Sequence, residues 1–248
     1  MELHVASYSD AGGREQNEDS TLTVVRGGCA LLAAADGVGG YAEGAVASQT
    51  AVQMFDEAFR LQGAQTDLRE VLLAVNSRLM GEAAGRRRLT TAAAVLITPE
   101  RITLAHVGDS RIYAFRKGQL LHRTLDHSVA QMAVLRGEIT PDGIRTHADR
   151  SVLTQALGAY ETLRPELTEL SAGEADALLL CTDGFWEYVL ESDMTGTLAA
   201  AKSPEEWLSA MRDLLPERVP VHNDNNSAIA VMIETPAGSQ DDRSWDTK

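Results

Sequence analysis

Four aspartates share one setting: each lies at the end of an apolar run, Asp224 just before one, and sits beside glycine, serine or asparagine. Asp36 follows Leu31-Leu32-Ala33-Ala34-Ala35 and precedes Gly37-Val38-Gly39-Gly40, and Asp109 follows Leu104-Ala105-His106-Val107-Gly108. Asp183 follows Leu178-Leu179-Leu180-Cys181-Thr182 and precedes Gly184, and Asp224 lies within His222-Asn223-Asp224-Asn225-Asn226. Taken singly, an Asp-Gly pair is an ordinary turn. Four such positions, with Glu18 and Asp19 also at a loop end, ask for more. A carboxylate at the mouth of a buried strand is costly unless something neutralises it. If the strand ends converge, the acids make an oxygen-rich site suited to hard cations such as Mg2+ or Mn2+. Gly37 would let the backbone approach an ion and lend its carbonyl. Arg14, in Gly12-Gly13-Arg14-Glu15-Gln16-Asn17-Glu18-Asp19, offers a fork for a tetrahedral anion. Its plainer role is a surface ion pair with Glu15 or Glu18. Acids, cations and a guanidinium together suit metal-assisted phosphoester hydrolysis.

Positioning these groups requires strands that end at them. Leu3 to Ser9, Ser20 to Val25 and Cys29 to Ala35 read as strands. Two helices follow: one with Ala47, Ala51, Met54, Phe55 and Ala58 at helical spacing, the next opening at Thr66 or Asp67 with Leu68, Val71, Leu72, Val75 and Leu79 in one stripe. Strands then run over Thr91 to Ile97, Ile102 to Val107, Ile112 to Arg116 and Gln119 to Thr124, with Lys117-Gly118 as a tight turn. A helix over Val129 to Arg136 leads into an irregular stretch, Gly137 to Arg150. Leu153 to Leu157, Leu163 to Leu170 and Ala177 to Cys181 read as extended. Helices over Glu191 to Ala200 and Pro204 to Leu215, the latter with Trp207, Met211 and Leu214 on one face, precede a last strand, Ser227 to Ile233. The irregular order argues for antiparallel sheets with helices outside, an α+β arrangement. The expectation is one domain over 1–235 and a polar, disordered tail over 236–248.

The chain has 248 residues, 44% hydrophobic and 23% charged, enough for a sizeable core. Its 36 acids against 22 Lys and Arg give a net charge of −14, which disfavours nucleic acid and anionic membranes as partners. No apolar run approaches the roughly 18 residues of a membrane span, and no leader segment is visible. Cys29 and Cys181 sit in apolar runs and read as buried free thiols, fitting a reducing cytoplasm.

Taken in order, eight stretches resemble the PPM family of metal-dependent serine/threonine phosphatases, also called protein phosphatase 2C. They are Arg14 to Asp19, Asp36 to Gly40, Thr90-Thr91-Ala92, His106 to Arg111, Thr124-Leu125-Asp126-His127-Ser128, Ala156-Leu157-Gly158, Cys181 to Gly184, and Asp224-Asn225-Asn226-Ser227. The resemblance runs from about Ser7 to Ile233. It implies a four-layer α/β/β/α sandwich, two antiparallel sheets flanked by helices, with a binuclear site at one end. By the same resemblance Asp36 bridges two Mn2+ or Mg2+ ions, with the Gly37 carbonyl on one. Asp183 and Asp224 hold one ion and Glu18 contacts the other. Asp109 with Asp183 binds a third, Asp19 and Asn225 support the ligands, and Arg14 holds the substrate phosphate. The implied chemistry is direct attack by a metal-bridging hydroxide on phosphoserine or phosphothreonine, opposing a serine/threonine kinase. The implied setting is a cytoplasmic, bacterial-type monomer acting on phosphorylated proteins.

The pattern departs from the family in places. Val38 stands where some members carry a histidine proposed as general acid, Leu89 replaces a glycine, and Ser227 replaces a threonine. The stretch Pro141 to Arg150 matches the family flap only loosely. His106 and His127 read as structural, Trp186 and Trp207 as packing residues, and Arg86-Arg87-Arg88 as a solvated turn that would also steer acidic phosphopeptides. Two alternatives stand beside the phosphatase: a catalytically weak sensor or binding module, and a hydrolase of small phosphoesters.

Overall fold

The computed structural model describes residues 1–39, 42–81 and 87–234. Gly40, Arg86 and the tail expected over 236–248 lie outside the described residues.

Two antiparallel sheets stack face to face. One has the order β1-β11-β10-β7-β8, formed by β1 (Glu2–Asp10), β7 (Arg111–Arg116), β8 (Gln119–Arg123), β10 (Ala177–Cys181) and β11 (Asn226–Glu234). The other has the order β2-β3-β5-β6-β9, from β2 (Asp19–Arg26), β3 (Cys29–Val38), β5 (Ala92–Ile97), β6 (Arg101–Val107) and β9 (Glu166–Ser171), with β4 (Leu89–Thr90) paired to the end of β3. Helices α1 (Ala42–Gln62) and α2 (Leu68–Gly81) cover the second sheet. On the first sheet lie α5 (Glu191–Ala200) and α6 (Pro204–Arg212), with the short α4 (Asp183–Trp186) and α7 (Leu215–Arg218) at its ends; α3 (Val129–Leu135) follows β8.

The alternation of side chains along β3 explains why its sequence is an unbroken apolar run. Leu31, Ala33 and Ala35 pack toward the helices, while Ala30, Leu32 and Ala34 face the other sheet and meet Leu178, Leu180, Ile229 and Val231. A strand covered on both faces has no position for a polar residue. The α2 stripe Leu68, Val71, Leu72, Val75 and Leu79 is buried as its spacing requires. Asp67 caps that helix, its Oδ1 accepting from the Arg69 and Glu70 amides. At the β7–β8 turn Lys117 and Gly118 both take positive φ, 50° and 73°, as a two-residue hairpin turn demands.

Three expectations are corrected. Leu153 to Leu157 is not a strand; only isolated bridges form, Ser128 to Leu153 and Thr90 to Leu157, because its two partners belong to separate elements, the cap of α3 and the end of β4. The extended stretch expected from Leu163 begins at Glu166, where pairing with β6 starts. The helix expected over Pro204 to Leu215 stops at Arg212 and a new turn opens at Leu215. Pro216 explains the break: it has no N–H for the carbonyl four residues earlier, which is that of Arg212.

Candidate metal centre

Antiparallel order collects the acids. Asp36 and Asp109 lie at the exit of β3 and β6, Asp183 at the exit of β10, and Asp19 and Asp224 at the entry to β2 and β11. In adjacent antiparallel strands an exit lies beside an entry, so all five gather at one end of the sandwich. A cavity of about 480 Å3 opens there, lined by Arg14, Glu18, Asp36, Gly37, Asp109, Asp183, Asp224 and Asn225 among others. Of the residues singled out in the sequence, Arg14, Glu18, Asp36, Gly37, Asp109, Asp183, Asp224 and Asn225 all line this one cavity. Asp19 sits behind that wall, directly opposite Asp36 in the β2–β3 register.

Like charges facing each other across a ladder repel, and here burial makes the cost larger. Burial first, then the charge of Asp183, holds Asp36 and Asp109 well above the usual carboxylate range. Asp183 is pushed up to about 7 by burial and the neighbouring Asp224, Glu187 and Asp19. Asp19 is also raised to about 7 by burial, although hydroxyl donors from Ser227 at 2.7 Å and Thr182 at 2.8 Å oppose the rise. Buried oxygens Asp183 Oδ1 and Asp19 Oδ1 have no hydrogen-bond partner among the described residues. Crowded, desolvated carboxylates with unsatisfied oxygens fit divalent hard cations.

The supports are specific. Asp36 is fixed through its backbone: its N–H donates to Thr91 Oγ1 at 2.9 Å and its carbonyl accepts from Thr90 Oγ1 at 2.8 Å. Thr91 Oγ1 meets Ser110 Oγ at 2.7 Å, which ties Asp36 to the turn beside Asp109. Asn225 clamps the loop that carries Arg14 and Glu18. Its Oδ1 accepts from the Glu18 amide at 2.9 Å, and its Nδ2 donates to the carbonyls of Ala11 and Gln16 at 2.9 and 3.0 Å. The Arg14 guanidinium donates to Asp224 Oδ2 at 2.9 Å. Its partner is therefore neither Glu15 nor Glu18, but an acid 210 positions away. Close packing of α1 fixes the remaining wall. A Cβ on Gly44 would overlap Glu18 Oε2, and one on Gly37 would overlap the Gly44 carbonyl. Glycine at both places lets the start of α1 press against Glu18 and Gly37.

Some supporting residues were not legible as such. Arg111 and Asp126, each 1% exposed in the side chain, form a two-pronged ion pair with Nε–Oδ1 and Nη2–Oδ2 both 2.7 Å. The Arg111 guanidinium lies 3.4 Å from the Trp186 ring centroid, and Trp186 Nε1 donates to the Asp109 carbonyl at 2.9 Å. Trp186 is thus a core residue that also holds Asp109. The segment matching the flap is anchored by Ile144, which is fully buried, and by Arg145, which donates to the Trp186 carbonyl at 3.1 Å and to Glu191 at 2.8 Å. Ser151 and Leu153, just beyond it, line the cavity.

The histidines behave structurally. His106 Nε2 lies 2.8 Å from the Leu125 carbonyl, and His127 Nδ1 accepts from the Gly108 amide at 3.1 Å. With Glu166 they bring ligand atoms within 4.8 Å of one another. Yet the acceptor role of Nδ1 leaves the neutral His127 proton on Nε2, the atom that faces Glu166 at 3.7 Å, so no lone pair is aimed at an ion there. Cys29 and Cys181 are free and buried. Arg88 of the basic run pairs with Glu43 at 2.7 Å, so it does not serve as a solvated steering charge.

Fold and cavity define an α/β/β/α sandwich with an oxygen-rich, arginine-edged cleft at one end of its sheets. The chain belongs to the protein phosphatase 2C family, whose model matches residues 8–216. It is 38% identical over 218 residues to the serine/threonine protein phosphatase PstP of Mycobacterium tuberculosis, covering 85% of this chain and 41% of that protein's length. Among solved structures, the serine/threonine phosphatase Stp1 of Staphylococcus aureus superposes with a TM-score of 0.83 at 28% identity, covering 95% of this chain and 96% of that one. The catalytic domain of PstP, solved with two manganese ions, superposes with a TM-score of 0.78 at 30% identity, covering 93% and 97%.

Proposed function

We propose that this protein is a metal-dependent phosphatase that hydrolyses phosphoserine and phosphothreonine in other proteins. The observation that carries the reading is the meeting of Glu18, Asp36, Asp109, Asp183 and Asp224 with Arg14 on one cavity, where burial makes the charges of Asp36, Asp109 and Asp183 costly without a cation. The catalytic domain of PstP, solved with two manganese ions, supports a metal-dependent reading.

Asp36, the Gly37 carbonyl, Glu18, Asp183 and Asp224 would hold two Mn2+ or Mg2+ ions, and Asp109 with Asp183 a third. Bound there, the ions supply neutralisation of phosphate oxygens and a water ionised near neutral pH for direct attack on phosphorus. The chain's own groups do the rest. Arg14 binds the phosphate through its fork and leaves Asp224 to do so. Asn225 holds the Arg14 loop in register, and Asp19 braces the Asp36 wall through Thr182 and Ser227. No histidine lines the cleft among the described residues, and in this reading water protonates the leaving alkoxide. In this reading residues 1–235 form the functional unit, a cytoplasmic monomer opposing a serine/threonine kinase. Among the described residues no helix is long and apolar enough to cross a membrane.

The test is phosphate release from a phosphothreonine peptide with and without Mn2+, beside Asp36→Ala, with Mn2+ binding followed by calorimetry. Mn2+-dependent turnover that the variant loses together with Mn2+ affinity supports the reading. An inactive wild type that still binds Mn2+ would move it to a binding module.

A further inference from the structure

A second cavity, about 440 Å3, lies behind the loops that carry Arg14 and Asp224. The two cavities share those loops: Gly12 and Asn223 line the second, and Arg14 and Asp224 line the first. Consecutive Cα atoms are only ~3.8 Å apart, so one turn separates them. That turn, Ala11 to Gln16, is solvent-exposed over Gly12 to Gln16, and its two glycines pack closely against residues 221–224, which keeps it low.

The second cavity has its own charge. The Arg212 guanidinium sits 4.2 Å from the centroid of the Tyr8 ring, a ring whose hydroxyl is engaged by Asn226 Oδ1 at 3.0 Å. Arg111, Arg145, Arg150 and Arg218 each hold a carboxylate. Arg212 makes no ion pair among the described residues. A guanidinium backed by an aromatic face and lacking an acid is a ready receiver of an oxyanion. Leu215 and Val219 add apolar wall beside it, whereas Asp10 and Asp213 flank it with negative charge. Asp10 is exposed, its Oδ1 accepting from the Gly12 amide at 2.8 Å. A single carboxylate among apolar or neutral neighbours fits this setting, and a dense acidic tract does not.

We propose that the Arg212 cavity is a second subsite for the phosphoprotein substrate, receiving one acidic side chain a few residues from the phosphorylated one. An extended peptide advances ~3.3 Å per residue, so a chain crossing the Gly12-Gly13 turn spans both cavities within a few residues. The inference rests on the phosphatase reading for its first cavity.

The experiment uses Mn2+-loaded protein and phosphothreonine peptides in which one glutamate, or glutamine as control, is moved along an otherwise neutral sequence. A small aryl phosphate serves as reference, and peptide binding is followed by fluorescence anisotropy. We expect kcat/KM to favour glutamate over glutamine about fivefold at one position, the upper end for a solvent-exposed ion pair. That ratio should fall to one in Arg212→Gln and survive in part in Arg212→Lys. A ratio of one at every position in the wild type overturns the subsite, as does a ratio that Arg212→Gln leaves intact. Parallel loss on peptides and aryl phosphate with the ratio retained overturns it too, since Arg212 would then act on the fold. If no phosphoester is hydrolysed, the phosphatase reading fails and anisotropy decides the subsite. Tighter glutamate-peptide binding by wild type than by Arg212→Gln then supports it, and equal binding overturns it.

Discussion

Replacing Arg111 by methionine removes a guanidinium that is 1% exposed and bonded to both oxygens of an equally buried Asp126. Methionine keeps most of the stem volume, so the loss is chiefly electrostatic and not a cavity. Asp126 remains as an acid without its partner, and the Trp186 ring loses the cation stacked 3.4 Å from its centroid. Breaking a buried pair from one side costs about 3–5 kcal/mol. In a chain of this length each kcal/mol moves the melting temperature by roughly 2–4 °C, which gives a fall of roughly 6–20 °C. Urea denaturation of Arg111→Met, Asp126→Leu and the double variant closes a thermodynamic cycle. The double variant should recover most of the loss, because apolar residues can replace a buried pair at little cost. A single-variant loss under about 1 kcal/mol, within the range of exposed pairs, would refute the claim that the pair is desolvated.

Other outcomes follow from the same geometry. Asp19 and Asp183, at about 7 when folded against 3.8 ordinarily, bind protons that the unfolded chain releases between about pH 4 and 7. Stability of the ion-free protein should therefore fall as pH rises through that window, by about 4 kcal/mol for one such group. Mn2+ should cancel the fall, and denaturant titrations at pH 5 and pH 8 with Mn2+ or chelator would show it. A chelated protein that is firmer at pH 8 would contradict the assignment. Gly44→Ala places a methyl on the Glu18 carboxylate and should weaken Mn2+ binding about tenfold by calorimetry, the low end for disturbing a ligand's support. Asn225→Ala leaves the Glu18 amide and the Ala11 and Gln16 carbonyls without its side chain; hydrogen exchange over residues 11–18 should accelerate, with a stability loss of about 1–3 kcal/mol by denaturation.

What the sequence made legible was local or repetitive. The α2 stripe and the Asp67 cap are readable because helical spacing and capping chemistry are written within a few residues. The acids were visible because they sit at one end or the other of an apolar run, a signal that antiparallel pairing turns into proximity. Long-range choices were not. Nothing near Arg14 indicates Asp224 as its partner, and composition argues against an arginine as buried as Arg111. The α4 turn is too short to show a period, and its Gly184 hides it further. Leu153 to Leu157 looked like a strand because apolar content alone cannot say whether its partners belong to one element or two.

Neither sheet owns the cleft. Asp19 and Asp36 belong to one sheet, Asp183 and Asp224 adjoin the other, and the Thr182 and Ser227 hydroxyls that grip Asp19 reach across between them. A slip of one layer by a single residue, ~3.3 Å, would draw the acids of one sheet away from those of the other. The inter-sheet layer of Leu32, Leu180 and Val231 is therefore the mould in which the ion pocket is cast. Reshaping that layer would move the acids apart without replacing any of them, and a partly synthesised chain that lacks β11 would carry its acids unassembled.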